Sequence, residues 1–408
     1  MAHRPIRVAV VGAGLGGLAA AIGLQRVADV EVTVFEQAGQ LGEIGAGVGL
    51  APNGQRVLNR LGVLDDIRRV GATYDGPGRY IDTDGRLVGE VPWADSSGQY
   101  QTLGMHRADF VDVMVRALAP ETIRVGHRLT AIDASDADVR LMFQNGESSV
   151  FDAVVGADGT HSVVRESMIR TEDPVYSGFI AYRGVLDAKN LPADWPMRNQ
   201  IWMGMRKHFM CYPIRQREQF NFVGFVPSSR PLRESWSARG DVDELVAEFG
   251  PEWDPNLRDF ISRIDETFWW GLYDREPLRS WSRGRVTLLG DAAHTMLPHA
   301  GQGVNQALED AVALAIVLRE ANGPAAVSEA FRRYAAVRMQ RTAILQASSR
   351  RSGTQLASQA EFENLGKRDA EVRAGRDFRR SFVFDYDAAA VADKTVNRMR
   401  HQQEGGSS

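Results

Sequence analysis

Residues 7–36 hold a strand–turn–helix–strand–acid unit that restricts this chain to very few folds. Arg7 to Val11 (Arg-Val-Ala-Val-Val) is an apolar, β-branched run, too short for a helix and suited to a buried strand. It runs into Gly12-Ala13-Gly14-Leu15-Gly16-Gly17 and then into Leu18 to Val27, a stretch of strong helix formers. Val30 to Phe35 reads as a second strand and ends at Glu36. Each part has a physical job. Gly12 permits the tight turn, Gly14 lets backbone approach a pyrophosphate, and Gly17 lets the helix pack close to the strand. The helix N-terminus, with Leu15 at its start, offers unpaired N–H groups and partial positive charge to a diphosphate. Glu36 lies roughly 20 residues past the turn, where an acid accepts the hydroxyls of an adenosine ribose. The unit predicts a dinucleotide site built from Gly12, Gly14, Leu15, Gly17 and Glu36.

Composition then excludes whole classes. A length of 408 residues allows two domains with sizeable cores, and a net charge of -4 gives no nucleic-acid surface. Cys211 is the single cysteine, so intrachain disulfides and a redox dithiol are ruled out. That cysteine usage suits a reducing cytoplasm. No uninterrupted apolar run reaches the ~18 residues of a membrane span. Val8 to Leu24 is apolar and near the start, but its glycines and the following strand favour the nucleotide unit over a signal peptide. No His/Cys/carboxylate cluster suggests a metal.

Further along, Leu41 to Leu50 is glycine-rich, as backbone packed against a flat ligand would be, and Asn53 to Leu61 has helical spacing with Gly62 as a stop. Tyr74 to Pro92 reads as a hairpin that interrupts the nucleotide unit, with turns at Asp75-Gly76 and Asp84-Gly85. His106-Arg107-Ala108-Asp109 opens a helix, Phe110 to Leu118. Short strands follow at Ile123–Val125, Leu129–Ala134 and Val139–Phe143. Val150 to Gly156 reads as one buried parallel strand ending in Ala157-Asp158-Gly159, where open α/β sheets bind ligands. From about Pro174 to Arg275 aromatics concentrate and short strands dominate, predicting an antiparallel sheet with one face available for a small ligand. Trp202, Met203, Met205 and Trp269-Trp270 read as core or pocket wall. Val286 to Leu289 returns to the buried-strand pattern and ends in Gly290-Asp291-Ala292-Ala293-His294. Pro298, His299 and Gly301-Gln302-Gly303 precede a helix, Val304 to Glu320, so Asp291, Gly301, Gly303 and Val304 recur in a phosphate- or sugar-contacting arrangement. Ala325 to Arg350 is helical, and the Arg-rich stretch after it reads as a solvated helical face.

Three motifs in this order, Gly12-Ala13-Gly14-Leu15-Gly16-Gly17, Gly156-Ala157-Asp158-Gly159 and Gly290-Asp291-Ala292-Ala293-His294, resemble the group A single-component flavoprotein monooxygenases, the family of para-hydroxybenzoate hydroxylase. The resemblance extends from residue 7 to about residue 345. Phe35-Glu36-Gln37, Ala51-Pro52-Asn53-Gly54, Tyr182-Arg183-Gly184, Tyr273-Asp274-Arg275-Glu276-Pro277 and the His208…Tyr212 pair are similar to the branch holding salicylate, 3-hydroxybenzoate and 6-hydroxynicotinate hydroxylases. The Pro298–Gln306 loop departs from the salicylate and 3-hydroxybenzoate enzymes. The resemblance implies that FAD is the cofactor and NADH or NADPH the co-substrate. Arg107 would contact FAD, Asp158 would serve flavin and reductant, Asp291 would bond the ribityl chain and Pro298 would lie beside the isoalloxazine. The fold implied is α/β: a Rossmann-like FAD-binding domain (1–73, 101–173, 276–322) interleaved with an antiparallel β-sheet substrate domain (74–100, 174–275). A helical C-terminal region (323–400) and a flexible tail (401–408) would follow. The implied reaction is hydroxylation of a small phenolic or hydroxylated heteroaromatic acid by O2 through an FAD C4a-hydroperoxide, in a monomer or homodimer.

The residues give independent support. One Rossmann fingerprint without a second leaves two options: a monooxygenase whose reductant needs no domain of its own, or a flavin oxidase or dehydrogenase reduced by its substrate. A non-catalytic flavin-binding or redox-sensing protein is a third reading, opposed by the intact Asp158 and Asp291 motifs. In the middle region, alternation along His208-Phe209-Met210-Cys211-Tyr212 puts His208, Met210 and Tyr212 on one strand face. An imidazole and a phenol beside a thioether make a wall for a phenolic acid. His208 and Tyr212 are the candidate catalytic residues, with His208 the base that assists loss of the phenol proton.

Overall fold

The computed structural model describes residues 4–42, 47–169, 173–229, 238–355 and 375–405. Part of the glycine-rich run (43–46), most of the loop before Val242 (230–237) and most of the Arg-rich stretch (356–374) lie outside the described residues.

A six-stranded sheet carries the dinucleotide motifs. Its order is Ser282–Arg283, Val286–Leu288, Ala153–Gly156, Ile6–Val11, Val30–Phe35, Ile123–Arg124. All neighbours are parallel except the first pair. Its central strands are buried on both faces, as a continuous Val/Ile/Leu pattern requires. The Leu15–Leu24 helix and the Gly303–Leu318 helix pack together beside it, with Gly16 facing Ala307 and Gly23 facing Ala315. The first helix starts three residues earlier than propensity suggests, because the Leu18 N–H already reaches the Gly14 carbonyl at 2.9 Å.

Val150–Gly156 is not one strand. Ser148–Phe151 pairs antiparallel with Val139–Phe143, and Ala153–Gly156 joins the parallel sheet. The break falls at Asp152, whose fully buried carboxylate accepts from the Arg7 N–H (2.9 Å) and from Arg4 (2.6 Å twice). Burying that charge demands these partners, and they bend the chain from one sheet to the other.

The second sheet has eight strands, in the order Arg239–Gly240, Thr267–Asp274, Val175–Asp187, Gln219–Pro227, His208–Ile214, Gln200–Met203, Gly78–Asp82, Leu87–Val91. The hairpin of residues 78–91 is therefore part of this sheet. Its junction with Gln200–Met203 is parallel, the one departure from an antiparallel arrangement among the described strands. One face is sealed: Phe209, Cys211, Phe220, Phe222 and Trp202 pack against Leu245, Leu257 and Phe260 of the two helices at Val242–Glu248 and Pro255–Ile261, and against Phe249, which follows the first of them. The other face, with His208, Met210, Tyr212, Val223 and Phe225, turns toward the dinucleotide motifs. Trp202 and Met203 are buried as expected, whereas Met205 is 49% exposed at a hairpin turn and is no pocket wall. Among the described residues, no helix is long and apolar enough to cross a membrane.

Candidate active site

The three glycine-containing motifs converge on one cleft of ≈ 680 Å³. Gly12, Gly14, Leu15, Glu36, Arg107, Asp158, Asp291, Gly303 and Val304 all line it. Each sits where a strand of the parallel sheet ends or a helix begins, the position at which open α/β sheets present ligand-binding loops. Gly12 has φ +106°, and a Cβ there would lie 2.4 Å from the Ala157 carbonyl oxygen, so this turn requires glycine. A Cβ on Gly17 would meet the Gly12 carbonyl oxygen at 2.0 Å; Gly17 does not line the cleft and acts by letting the helix seat against the turn. Gly14 differs, because a Cβ there meets nothing within 4 Å. The protein leaves the space above it open.

Glu36 is already oriented. Its Oε2 accepts from the Ala13 N–H and its Oε1 from the Ala38 N–H, both at 2.9 Å. Asp158 caps the helix that follows it, accepting from the Ser162 hydroxyl (2.5 Å) and the Val164 N–H (3.1 Å); burial nevertheless raises its pKa. Arg107 is held below its ordinary pKa by burial, against the opposing pull of Asp291. Arg183 lines the same cleft from the eight-stranded sheet, its guanidinium 4.7 Å from the Trp270 ring centroid. Burial first, and the Arg107 charge second, lower its pKa to about 10. Arg107 and Arg183 bring positive charge to the cleft that Asp291 also lines.

The segment between Asp291 and Gly303 links this cleft to the open sheet face. Pro298–Ala300 forms a 3-10 turn, and Gly301 ends it with φ +62°. Pro298 is exposed, and Leu297 packs with Phe179, Ala181, Phe225 and Leu272 of the sheet. His299, not singled out in the sequence reading, is brought against His208 with ring centroids 5.4 Å apart. Phe225 stacks on His208 at 4.2 Å and touches His299 at 4.9 Å. Both His299 ring nitrogens are buried and have no hydrogen-bond partner among the described residues. Burial lowers the His299 pKa to about 4. Burial, and then His299, push that of His208 well below the ordinary value. The structure thus places two neutral imidazoles beside each other. A histidine in a glycine-rich loop close to a phosphate-binding turn was the only sequence signal for the second one.

Tyr212 shares the strand face of His208 but joins a different cluster, with Tyr74 (ring centroids 6.2 Å), Ile214, Trp93 and Met210. Burial raises its pKa. It stands farther along the wall rather than at the imidazole pair. Behind the cleft lies a buried ionic cluster that the sequence did not reveal. Glu309 and Asp310 meet Arg338 at 2.6 and 2.7 Å, Arg341 reaches Glu309 at 2.7 Å, and His294 Nε2 lies 2.6 Å from Asp310. The His294 Nε2 and Asp310 Oδ2 share a hydrogen bond, and His294 Nδ1 has no partner among the described residues. Two arginines face the two carboxylates. His294 is a structural residue of this cluster.

Fold and cleft define an α/β protein with a dinucleotide-binding motif, whose second sheet contributes Arg183 to the cleft. A model of the FAD binding domain family matches residues 5–349, and the chain belongs to that family. It is 37% identical to a 3-amino-4-hydroxybenzoate 2-monooxygenase of Streptomyces cremeus over 86% of this chain and 88% of the relative. It is 35% identical to a 6-hydroxynicotinate 3-monooxygenase of Bordetella bronchiseptica, over 83% of this chain and 89% of the relative. A salicylate hydroxylase solved as its substrate complex superposes with a TM-score of 0.83 at 25% identity, covering 96% of this chain and 98% of the other.

Proposed function

We propose that this protein is a cytoplasmic FAD-dependent monooxygenase that uses NADH or NADPH and O2 to hydroxylate a small phenolic or hydroxylated heteroaromatic acid. The observation that carries the reading is the His208–His299 pair, neutral and with unpartnered nitrogens on His299, at the junction of cleft and open sheet face. The residues present fit FAD: space above Gly14 for a pyrophosphate, an acid fixed at Glu36 for the ribose, and cations at Arg107 and Arg183. Gly12, Gly14 and Leu15 would hold the diphosphate, Gly17 would keep the turn tight, Asp158 would serve the flavin side and the reductant, and Asp291 would bond the ribityl chain. Gly301, Gly303 and Val304, with Pro298 beside them, would bound the flavin end. The relatives named for aminohydroxybenzoate and hydroxynicotinate support the same substrate class here. We also propose the domain division 1–73, 101–173 and 276–322 against 74–100 and 174–275, since these segments supply the two sheets.

Bound FAD, reduced by NAD(P)H and reoxidised by O2, supplies an electrophilic oxygen that needs an electron-rich ring. The chain's part is to make the ring rich and keep it placed. A phenol gains electron density when its proton leaves, and a neutral imidazole can accept that proton. The negative charge of an aromatic acid beside them would raise both depressed pKa values. His208 is the proposed base, His299 a second polar contact, and Phe225, Val223, Leu297 and Tyr212 the apolar wall that excludes water. The test is a panel of hydroxybenzoates, aminohydroxybenzoates and hydroxynicotinates, scored for stimulated NADH oxidation with the product identified by mass. Flavin that NADH reduces equally fast without any aromatic acid, and no oxygenated product across the panel, would refute the proposal.

A further inference from the structure

Between Gly290 and Gly303 the chain carries Asp291, Pro298, His299 and Gly301, yet holds only two short helical turns, Asp291–His294 and Pro298–Ala300. Its placement depends on side chains from elsewhere. At the start, Gly290 takes φ +62° and its N–H donates to Asp310 Oδ2 at 3.0 Å. At the end, the Gln302 side chain accepts from Asn53 (3.0 Å) and Gln306 (3.2 Å), which both also bond Glu309. The ionic cluster therefore pins both ends. The middle is held by the Val327–Gln355 helix. Gln346 Nε2 donates to the Thr295 carbonyl at 2.9 Å. The Ser349 hydroxyl donates to the Leu297 carbonyl at 2.5 Å and accepts from the Ala300 N–H at 3.3 Å. Ser349 is fully buried, so one hydroxyl satisfies backbone groups on both sides of Pro298-His299.

We infer that Ser349 is a positioning residue that fixes the Pro298–Ala300 turn and thereby sets His299 opposite His208. The inference rests on the hydroxylase reading of that pair. The His299 ring nitrogens bond nothing among the described residues, so packing against the Phe225 and His208 rings is what holds the side chain once the turn moves. Without the hydroxyl, the buried Leu297 carbonyl and the half-buried Ala300 N–H lose their partner, and the turn relaxes to find water or another one. A displacement of about 1 Å at a reacting ring costs on the order of 100-fold in rate.

The experiment compares Ser349→Ala and Ser349→Thr in the FAD-loaded full chain. Both variants should retain FAD, so that coupling is read on the loaded enzyme. In Ser349→Ala, product formed per NADH consumed should fall, with oxygen transfer slowed by about 10- to 100-fold. Amide hydrogen exchange should rise at Ala300. Ser349→Thr, which keeps the hydroxyl, should restore both. Parental coupling in Ser349→Ala overturns the inference, whether or not exchange rises, and so does parental exchange. A packing role alone predicts a lower melting temperature with coupling intact. If the parent oxygenates no aromatic acid, the functional reading fails by itself, and the exchange measurement still decides whether Ser349 holds the turn.

Discussion

Replacing Gly14 and Gly17 separately by alanine should split the glycine turn into its ligand-facing and fold-bearing parts. At Gly14 the backbone has φ -69° and ψ 172°, which alanine adopts freely, and the added Cβ meets nothing within 4 Å. Alanine gains about 0.4–1 kcal/mol by restricting the unfolded chain and loses up to about 1 kcal/mol as a poorer helix cap. The two nearly cancel, so the melting temperature of Gly14→Ala apoprotein should stay close to the parent's. The methyl group does occupy the space through which a pyrophosphate would reach the helix N–H groups. Losing even one such charge-assisted bond costs about 1.5–3 kcal/mol, or roughly 10- to 150-fold in Kd. At Gly17 the built Cβ lies 2.0 Å from the Gly12 carbonyl oxygen and 3.3 Å from the Ala157 Cβ. Real Cβ atoms essentially never come under 3.0 Å, so helix or turn must move by about 1 Å. Gly17→Ala should therefore lose both stability and FAD. The assay is FAD titration of apoprotein by flavin fluorescence, beside thermal melting without ligand. Gly14→Ala that binds FAD with parental Kd would show that no ligand backbone approaches there, and the cleft assignment would fail.

Three further outcomes follow from the site. Glu36→Ala should weaken FAD by about 1.5–3 kcal/mol, since a fixed carboxylate is lost from the ribose end; unchanged affinity in a fluorescence titration would refute the ribose assignment. His208→Ala should keep FAD and its reduction by NADH but slow oxygen transfer by about 10²–10⁴-fold, so that NADH is consumed with H2O2 in place of product; a destabilised yet fully coupled variant would leave His208 as packing. The pKa of His299 is depressed to about 4 in the fold, so this group costs nothing above its unfolded pKa of about 6.5 and removes stability as pH falls from there toward 4. The loss approaches about 3 kcal/mol, with His208 acting in the same direction. Melting curves should show His299→Leu with a shallower acid limb than the parent between about pH 6.5 and 4, and equal slopes would contradict a buried neutral imidazole.

The dinucleotide half was legible from the sequence because its determinants are local. Gly12 to Gly17 and Glu36 lie in one contiguous strand–turn–helix–strand unit, and backbone geometry alone assigns each glycine a task. The two-faced middle sheet was legible for a similar reason: period-2 alternation along His208–Ile214 separates His208, Met210 and Tyr212 from Phe209 and Cys211 without reference to any partner. Composition excluded disulfides with equal directness, since Cys211 has no possible partner in the chain.

What depended on the tertiary structure are the meetings between distant segments. His208 and His299 stand 91 residues apart, and only the return of the Gly290–Gly303 segment over the open sheet face brings their rings to 5.4 Å. The break at Asp152 arises from a carboxylate that must find Arg4 and Arg7 once buried, a demand that an apolar run in sequence conceals. Arg338, Arg341, Gln346 and Ser349 look like the polar side of a long helix, yet all four are buried because that helix backs the cleft. A sequence states which groups are charged or polar. Whether they face water or hold a loop in place is set by what the fold packs against them: Glu309 and Asp310 for the two arginines, and the segment carrying His299 for Gln346 and Ser349.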